Sequence, residues 1–209
     1  MNKFISVIRD FRLLTFLIAT VLLSGCISNT SKPASFYVIN ASESLQSLLD
    51  ENRKGPAIKI SAVDIPPYLD RKQIVTRQTD NQLHFSEQHR WAGRFRKNLS
   101  RVMARNLSQL LGNADVAVSP SSLPIKASYQ VAIEISRFER DVSGYVVLSA
   151  SWRIVRDKDM SLVISGSETF KSSMTSEIQD YRATVSAMAE TYSRLSVMIA
   201  NNLVADAGQ

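Results

Sequence analysis

The 209-residue chain holds one cysteine, two histidines, seven glycines and six prolines. A single cysteine excludes an intramolecular disulfide and any multi-cysteine metal site. So little Gly and Pro, beside 44% apolar and 21% charged residues, excludes collagen-like, disordered and disulfide-stapled chains. Long apolar runs are also missing. The longest near the N-terminus, Leu13 to Leu23, is apolar apart from two threonines and at helical rise spans roughly 17 Å, too short for the ~30 Å hydrocarbon core. There is no Gly-rich phosphate loop, no G-x-S-x-G elbow and no paired-carboxylate pattern, and Gly166 in Ser-Gly-Ser-Glu lacks the second glycine such a loop needs. Catalysis is not expected, and neither is a cofactor.

What is present begins with the position of the cysteine. Lys3, Arg9 and Arg12 precede the apolar run, and Leu23-Ser24-Gly25-Cys26 closes it. Charge, apolar core, small residues and cysteine in that order read as a signal segment. The four-residue close resembles the lipobox of bacterial lipoproteins, in which the cysteine thiol receives diacylglycerol, the signal is removed and the new N-terminus is acylated. The alternative is a buried cysteine in a short apolar helix. On the lipoprotein reading, residues 1–25 are the signal peptide, 26–34 (with the polar stretch Ile27 to Ala34) a flexible lipidated tether, and 35–206 the folded domain. The resemblance also implies a destination: with Ile27 rather than Asp after the cysteine, the outer membrane, facing the periplasm, is expected. Removing residues 1–25 takes away three cations and one anion and lowers the net charge from +6 to +4.

The rest of the chain reads as α+β: one domain, a largely antiparallel sheet with two long amphipathic helices packed on one face. Strands are expected at Phe36 to Asn40, Ala57 to Val63 (Ile58, Ile60 and Ala62 on one side), and Asp115 to Val118. Ser42 to Asn52 reads as a loop or weak helical turn. A hairpin is expected from Gln73–Gln78 to Gln82–Phe85, around Asp80-Asn81, a pair able to adopt φ > 0. Three long strands, Ala127 to Arg140, Tyr145 to Val155 and Ser161 to Ser172, read as a meander turning at Ser143-Gly144 and Asp157-Lys158-Asp159. The first helix is expected over His89 to Leu111, with Trp91, Phe95, Leu99, Val102, Met103, Leu107 and Leu110 on one face and Gly112-Asn113 as its stop. The second is expected over Glu177 to Val204, with an apolar seam from Ile178 through Tyr181, Val185, Met188, Tyr192 and Leu195 to Ile199, and a Ser176/Gln179 capping box.

The stretch Ile58 to Arg77, with Pro66-Pro67-Tyr68-Leu69-Asp70-Arg71 at its centre, followed by Arg90-Trp91 and Asn106-Leu107, resembles the PqiC/YmbA family of ABC-type transport auxiliary lipoproteins. The likeness runs from Phe36 to about Leu203 and is most specific over Ile58 to Leu111. Ala92-Gly93-Arg94 departs from the family where an acidic residue is common. The resemblance implies a non-catalytic outer-membrane subunit working with a periplasm-spanning MCE-domain protein and its inner-membrane partner (PqiB- and PqiA-like), in a system that moves phospholipid and supports envelope integrity. The other class of reading is a free-standing envelope lipoprotein that binds a small hydrophobic ligand or has a structural role.

Two sets of residues are candidates for contact. Tyr68, Leu69, Asp70, Arg71, Arg77, Arg90 and Trp91 read either as a fixed bend whose side chains satisfy one another or as a docking surface. Arg90, Arg94, Lys97, Arg101 and Arg105 are spaced to form one basic face on the first helix, either a solvated face or a surface for anionic headgroups or an acidic partner. Nucleic acid is not an expected partner for a lipid-anchored chain of net +4, and a homo-oligomer formed through the sheet edges or basic helix is the remaining partner expectation. His84, Glu87 and His89 could be offered as metal ligands, but no third strong ligand stands at a recognised spacing.

Overall fold

Alternating apolar and polar residues build the centre of the sheet. In Tyr145–Arg156, the residues Val146, Leu148, Ala150, Trp152 and Ile154 are all buried on one face, while Arg153 on the other is exposed. The computed structural model describes residues 33–50, 54–121, 125–173 and 180–207. The expected signal segment, Cys26 and nearly all of the tether lie outside the described residues, as do Ile178 and the Ser176/Gln179 pair.

The elements, in order, are β1 (Ser35–Tyr37), β2 (Ile58–Asp64), β3 (Gln73–Thr79), β4 (Gln82–Trp91), α1 (Phe95–Leu110), β5 (Val116–Val118), β6 (Tyr129–Arg140), β7 (Tyr145–Arg156), β8 (Leu162–Ser173) and α2 (Tyr181–Ala207). The fold is α+β, and the eight strands form one sheet. The meander β6-β7-β8 is antiparallel throughout and carries the longest pairings, with β3-β4 as an antiparallel hairpin. Four shorter pairings are parallel: β1 with β4, β2 with both β5 and β6, and β3 with β6 at Thr76↔Arg140. Along one edge β6 therefore meets β2 with its first half and β3 only at its last residue.

Several expectations shift for identifiable reasons. The first helix starts at Phe95, not His89. His89, Arg90 and Trp91 are strand because β1 pairs with them in parallel from one side, while Trp91 N–H donates to the Lys72 carbonyl on the other. Trp91 still reaches Phe95, stacking on it across the turn at 4.3 Å between ring centres, so the spacing that suggested a helix is a strand-to-helix contact. The Asp80-Asn81 turn closes without left-handed backbone, which is found instead at Gly112, Asn113, Gly144 and Met160. Gly112 and Asn113 thus stop α1 as expected, and Gly144 turns β6 into β7. A bulge between Ile60 and Ala62 changes the phase of β2, burying Val63 after Ile58 and Ile60. Ser42 to Asp50 is not helical; its Leu48 N–H donates to the Leu110 carbonyl at the end of α1.

Helix α2 is capped by Asp180, whose Oδ1 accepts from the backbone N–H groups of Arg182 and Ala183. Its buried stripe contains the expected Met188, Tyr192, Leu195 and Ile199 but also small residues, Thr184, Ala187, Thr191, Ser196 and Ala200. Tyr181 and Val185 are only half-buried. A 3-4 repeat averages 3.5 residues per turn against the helix's 3.6, so over 27 residues the buried face drifts. Between the helices and sheet, Phe138 of β6 lies 6.0 Å from Phe95 of α1 and 5.9 Å from Tyr192 of α2, linking both helices to the sheet. Tyr192 is fully buried and its hydroxyl donates to the Leu99 carbonyl; burial pushes its pKa far above the usual range. Each such side chain contributes about 1.5–3 kcal/mol through burial.

Gly166 lies directly across from Trp152 in the β7-β8 pairing, and any Cβ there would collide with the indole. Gly166→Ala is expected to lower stability by about 1–3 kcal/mol through overpacking, measured by chemical denaturation. An unchanged midpoint would mean that Trp152 can move aside at no cost.

Candidate functional site

The segment that carries the sequence resemblance converges on a residue far from it in the chain. Pro66 and Pro67 end β2's direction, and the N–H groups of Leu69 and Asp70 return to the Pro66 carbonyl, making a tight bend. The bend buries Leu69 and turns Tyr68 so that its hydroxyl donates to Glu139 Oε2 at 3.0 Å. From β3, Arg77 Nε donates to Glu139 Oε1 at 2.8 Å, and from β6 itself Arg137 Nε reaches the same oxygen at 2.9 Å. The Phe138 N–H adds a bond to Oε2 at 3.2 Å. Glu139 has no exposed surface. Its carboxylate is thus compensated by two guanidinium groups, a phenol and an amide, as a buried charge requires.

Neighbouring residues are similarly engaged. Asp70 faces Arg96 of α1 at 3.4 Å, and Arg96 also binds Asp64 at 3.0 Å. Arg71 lies over the Phe85 ring at 4.6 Å. Arg90, on β4 rather than α1, pairs with Glu87 three residues back at 2.9 Å. Asn106 is fully buried, donating to Ser196 of α2 while accepting from the Ser42 N–H, so it pins the N-terminal segment to both helices. Asn98 does the same by bonding both the N–H and the carbonyl of Ile39.

Burial, the Glu139 charge and its hydrogen bond together push the Tyr68 pKa up to about 12, against the opposing pull of Arg77. For Arg77, burial lowers the pKa but Glu139 outweighs it and the net direction is upward.

The basic face is narrower than the sequence spacing suggests. With Arg90 on a strand, it consists of Arg94, Lys97, Arg101 and Arg105, all exposed and none in an ion pair with a described residue. Arg94 supplies the N-cap without a side-chain cap, and the first turn holds no acid. Cations at that end oppose the helix dipole, a local cost the rest of the fold tolerates. The three candidate metal ligands diverge: Glu87 goes to Arg90, and His89 stacks on Tyr181 at 3.9 Å and bonds the Tyr37 hydroxyl at 2.9 Å, while His84 is exposed. No cluster of three metal-binding side chains occurs among the described residues.

An open groove of about 1030 Å³ runs between α2 and residues 37–45, lined by Tyr37, Leu45, Phe170, Val185, Val197 and Met198 among others. Sequence spacing does not reveal it, because its walls come from opposite ends of the chain. Glu139 was equally hidden: in Arg-Phe-Glu-Arg it looks like any solvated charge. No described helix is long and apolar enough to cross a membrane.

The mixed sheet with two helices on one face defines an α+β scaffold. Residues 37–200 match the family model of the ABC-type transport auxiliary lipoprotein component, and the chain belongs to that family. It is similar in fold to a crystal structure of a protein from Xanthomonas campestris, at 18% identity and TM-score 0.69, covering 84% of this chain and all of that one. It is also similar to a crystal structure of an uncharacterised protein, at 19% identity and TM-score 0.66, covering 81% of this chain and 98% of that one. No curated protein matches the sequence.

A phenol held protonated in the fold stabilises it fully below the ordinary tyrosine pKa and loses that contribution as pH rises toward the folded value. Stability is therefore expected to fall between about pH 10 and 12. The decline is expected to be shallower in Tyr68→Phe, measured by urea unfolding at each pH. Identical pH profiles for the two proteins would show that the Tyr68 proton is not held by Glu139.

Proposed function

We propose that the chain is lipidated at Cys26 and held at the outer membrane, facing the periplasm, as a non-catalytic subunit of an MCE-type system that carries phospholipid between the membranes. Its partners on this reading are a periplasm-spanning MCE-domain protein and that protein's inner-membrane counterpart. The observation that carries it is Leu23-Ser24-Gly25-Cys26 placed nine residues before β1, in a chain of the transport auxiliary lipoprotein family. Several acyl chains, at ~0.8 kcal/mol per buried CH₂, make such an anchor effectively permanent.

The docking surface on this reading is the basic face. Because Tyr68, Asp70, Arg77 and Arg90 spend their polar groups on partners within the fold and Arg71 lies over the Phe85 ring, they support the bend and the strands, whereas Arg94, Lys97, Arg101 and Arg105 are available to an acidic partner or to anionic headgroups. Near an anionic surface each cation is worth ~1 kcal/mol. A second reading, a free-standing lipoprotein that holds a small hydrophobic ligand, draws on the groove beside α2.

Detergent extraction followed by pull-down and mass spectrometry tests both. The wild type is expected to co-purify with an MCE-domain protein. Cys26→Ala is expected to carry no lipid and to accumulate with its signal uncut. Arg94→Glu, Lys97→Glu and Arg101→Glu together are expected to leave the fold intact and cut partner capture at least tenfold. A Cys26→Ala protein that stays membrane-bound and correctly processed overturns the anchor. Recovery of a partner-free monomer with bound lipid favours the second reading.

A further inference from the structure

Glu139 and Arg140 are adjacent, both buried, and on opposite faces of β6, yet among the described residues only the first meets groups that compensate its charge. Arg140 is 6% exposed. Its Nη1 donates to Thr184 Oγ1 at 3.1 Å and its guanidinium lies 5.5 Å from the centre of the Tyr181 ring. No carboxylate of the described residues forms an ion pair with it. Asp141, next in the chain, turns its Oδ1 to the N–H groups of Ser143 and Tyr145. A hydroxyl and an aromatic face do not neutralise a buried cation, and burial accordingly pulls the Arg140 pKa down.

Arg140 lines a cleft of about 520 Å³ between the β3-β4 hairpin and the start of α2. Thr76, at 4% exposure, and Ser86, at 3%, are buried polar residues of the same lining, Gln78, Gln88 and His84 stand on the hairpin wall, and Asp141 also lines the cleft, its Oδ1 engaged by the two N–H groups named above. Part of this wall exists because β4 bulges: four of its residues, 86–89, stand between the Val75↔Phe85 and Gln73↔Arg90 pairs, opposite Ile74 alone. A buried guanidinium sharing a cleft with hydroxyls and amides from two strands supplies the donor types an oxyanion needs.

The geometry points to this cleft as a phosphate-binding site, with Arg140 supplying the charge and Thr76, Ser86, Gln78 and Gln88 the neutral contacts. Two sources share that chemistry: free phosphate and the phosphodiester of a glycerophospholipid headgroup. Only the headgroup source rests on the lipid-transport reading above.

The test titrates the detergent-solubilised full chain with inorganic phosphate and, separately, with dihexanoyl phosphatidylglycerol below its micellar concentration, following binding by calorimetry. Wild type is expected to bind at least one of the two saturably. Arg140→Gln, close in shape but neutral, is expected to weaken binding at least tenfold while unfolding at the same or a higher temperature, because it removes an uncompensated buried charge. That readout separates the proposal from a structural role, which predicts a lower unfolding temperature. Gln88→Glu leaves Arg140 in place and brings a second anion to the cleft. It is expected to weaken binding comparably with the fold intact, and so serves if Arg140→Gln does not fold. Binding of phosphate but not of the lipid assigns the site to free phosphate; binding of the lipid but not phosphate assigns it to the headgroup. No saturable binding of either up to 10 mM (about the weakest affinity that calorimetry resolves), or unchanged binding in the folded variants, overturns the proposal. Capture of the MCE-domain partner is scored independently, so failure here leaves that reading standing.

Discussion

A carboxylate without solvent has to find its compensation inside the protein, and most of the distinctive geometry follows from where Glu139 finds it. The groups that meet it come from the bend after β2, from β3 and from β6 itself. Backbone pairing between β3 and β6 is confined to Thr76↔Arg140, so the side-chain cluster is what holds the β3-β4 hairpin at that end of the meander. With the hairpin held there, β4 can continue to Trp91, pair with β1, and deliver Trp91 onto Phe95 at the start of α1. From Phe95 the aromatic contacts run through Phe138 to Tyr192, so the hairpin, both helices and the central strand share one core.

This arrangement gives a physical account of the residues that carry the family resemblance. Tyr68 and Arg77 are two arms of one carboxylate cluster, Leu69 fills the core beneath the bend, Asp70 reaches Arg96 on α1, and Asn106 bridges Ser42 and Ser196. Each is far in sequence from its partner. The residues left available at the surface are different ones: the four cations on α1 and the groove beside α2.

Elements whose evidence is local were legible in the sequence. The alternation of β7, the meander turns, the Gly112-Asn113 stop and the amphipathic run of α1 all depend on periods of two or 3.6 and on backbone freedom within a few residues. What was not legible depends on contacts between distant segments. His89-Arg90-Trp91 has helical spacing and becomes strand because β1, 54 residues earlier, pairs with it. The parallel pairings of β2 and β3 with β6 leave no local mark, nor does the burial of Glu139 and Arg140, which follows from a bulge between Ile135 and Arg137 and from what packs on either side of them. The expectation that Tyr68 to Arg71 form a fixed bend was readable from Pro66-Pro67; the residue that the bend exists to reach was not.

The central claim is that Arg77 and Glu139 are coupled within one carboxylate cluster, shared with Arg137 and Tyr68, on which the hairpin's position depends. A double-mutant cycle with Arg77→Gln, Glu139→Gln and the two together, read by urea denaturation, measures it directly. Removing one partner of a buried pair costs about 3–5 kcal/mol, whereas removing both leaves no stranded charge from the pair. The account predicts that the double variant is more stable than the summed single effects allow, with a coupling of at least about 1.5 kcal/mol. Additive effects, with no measurable coupling, would contradict it.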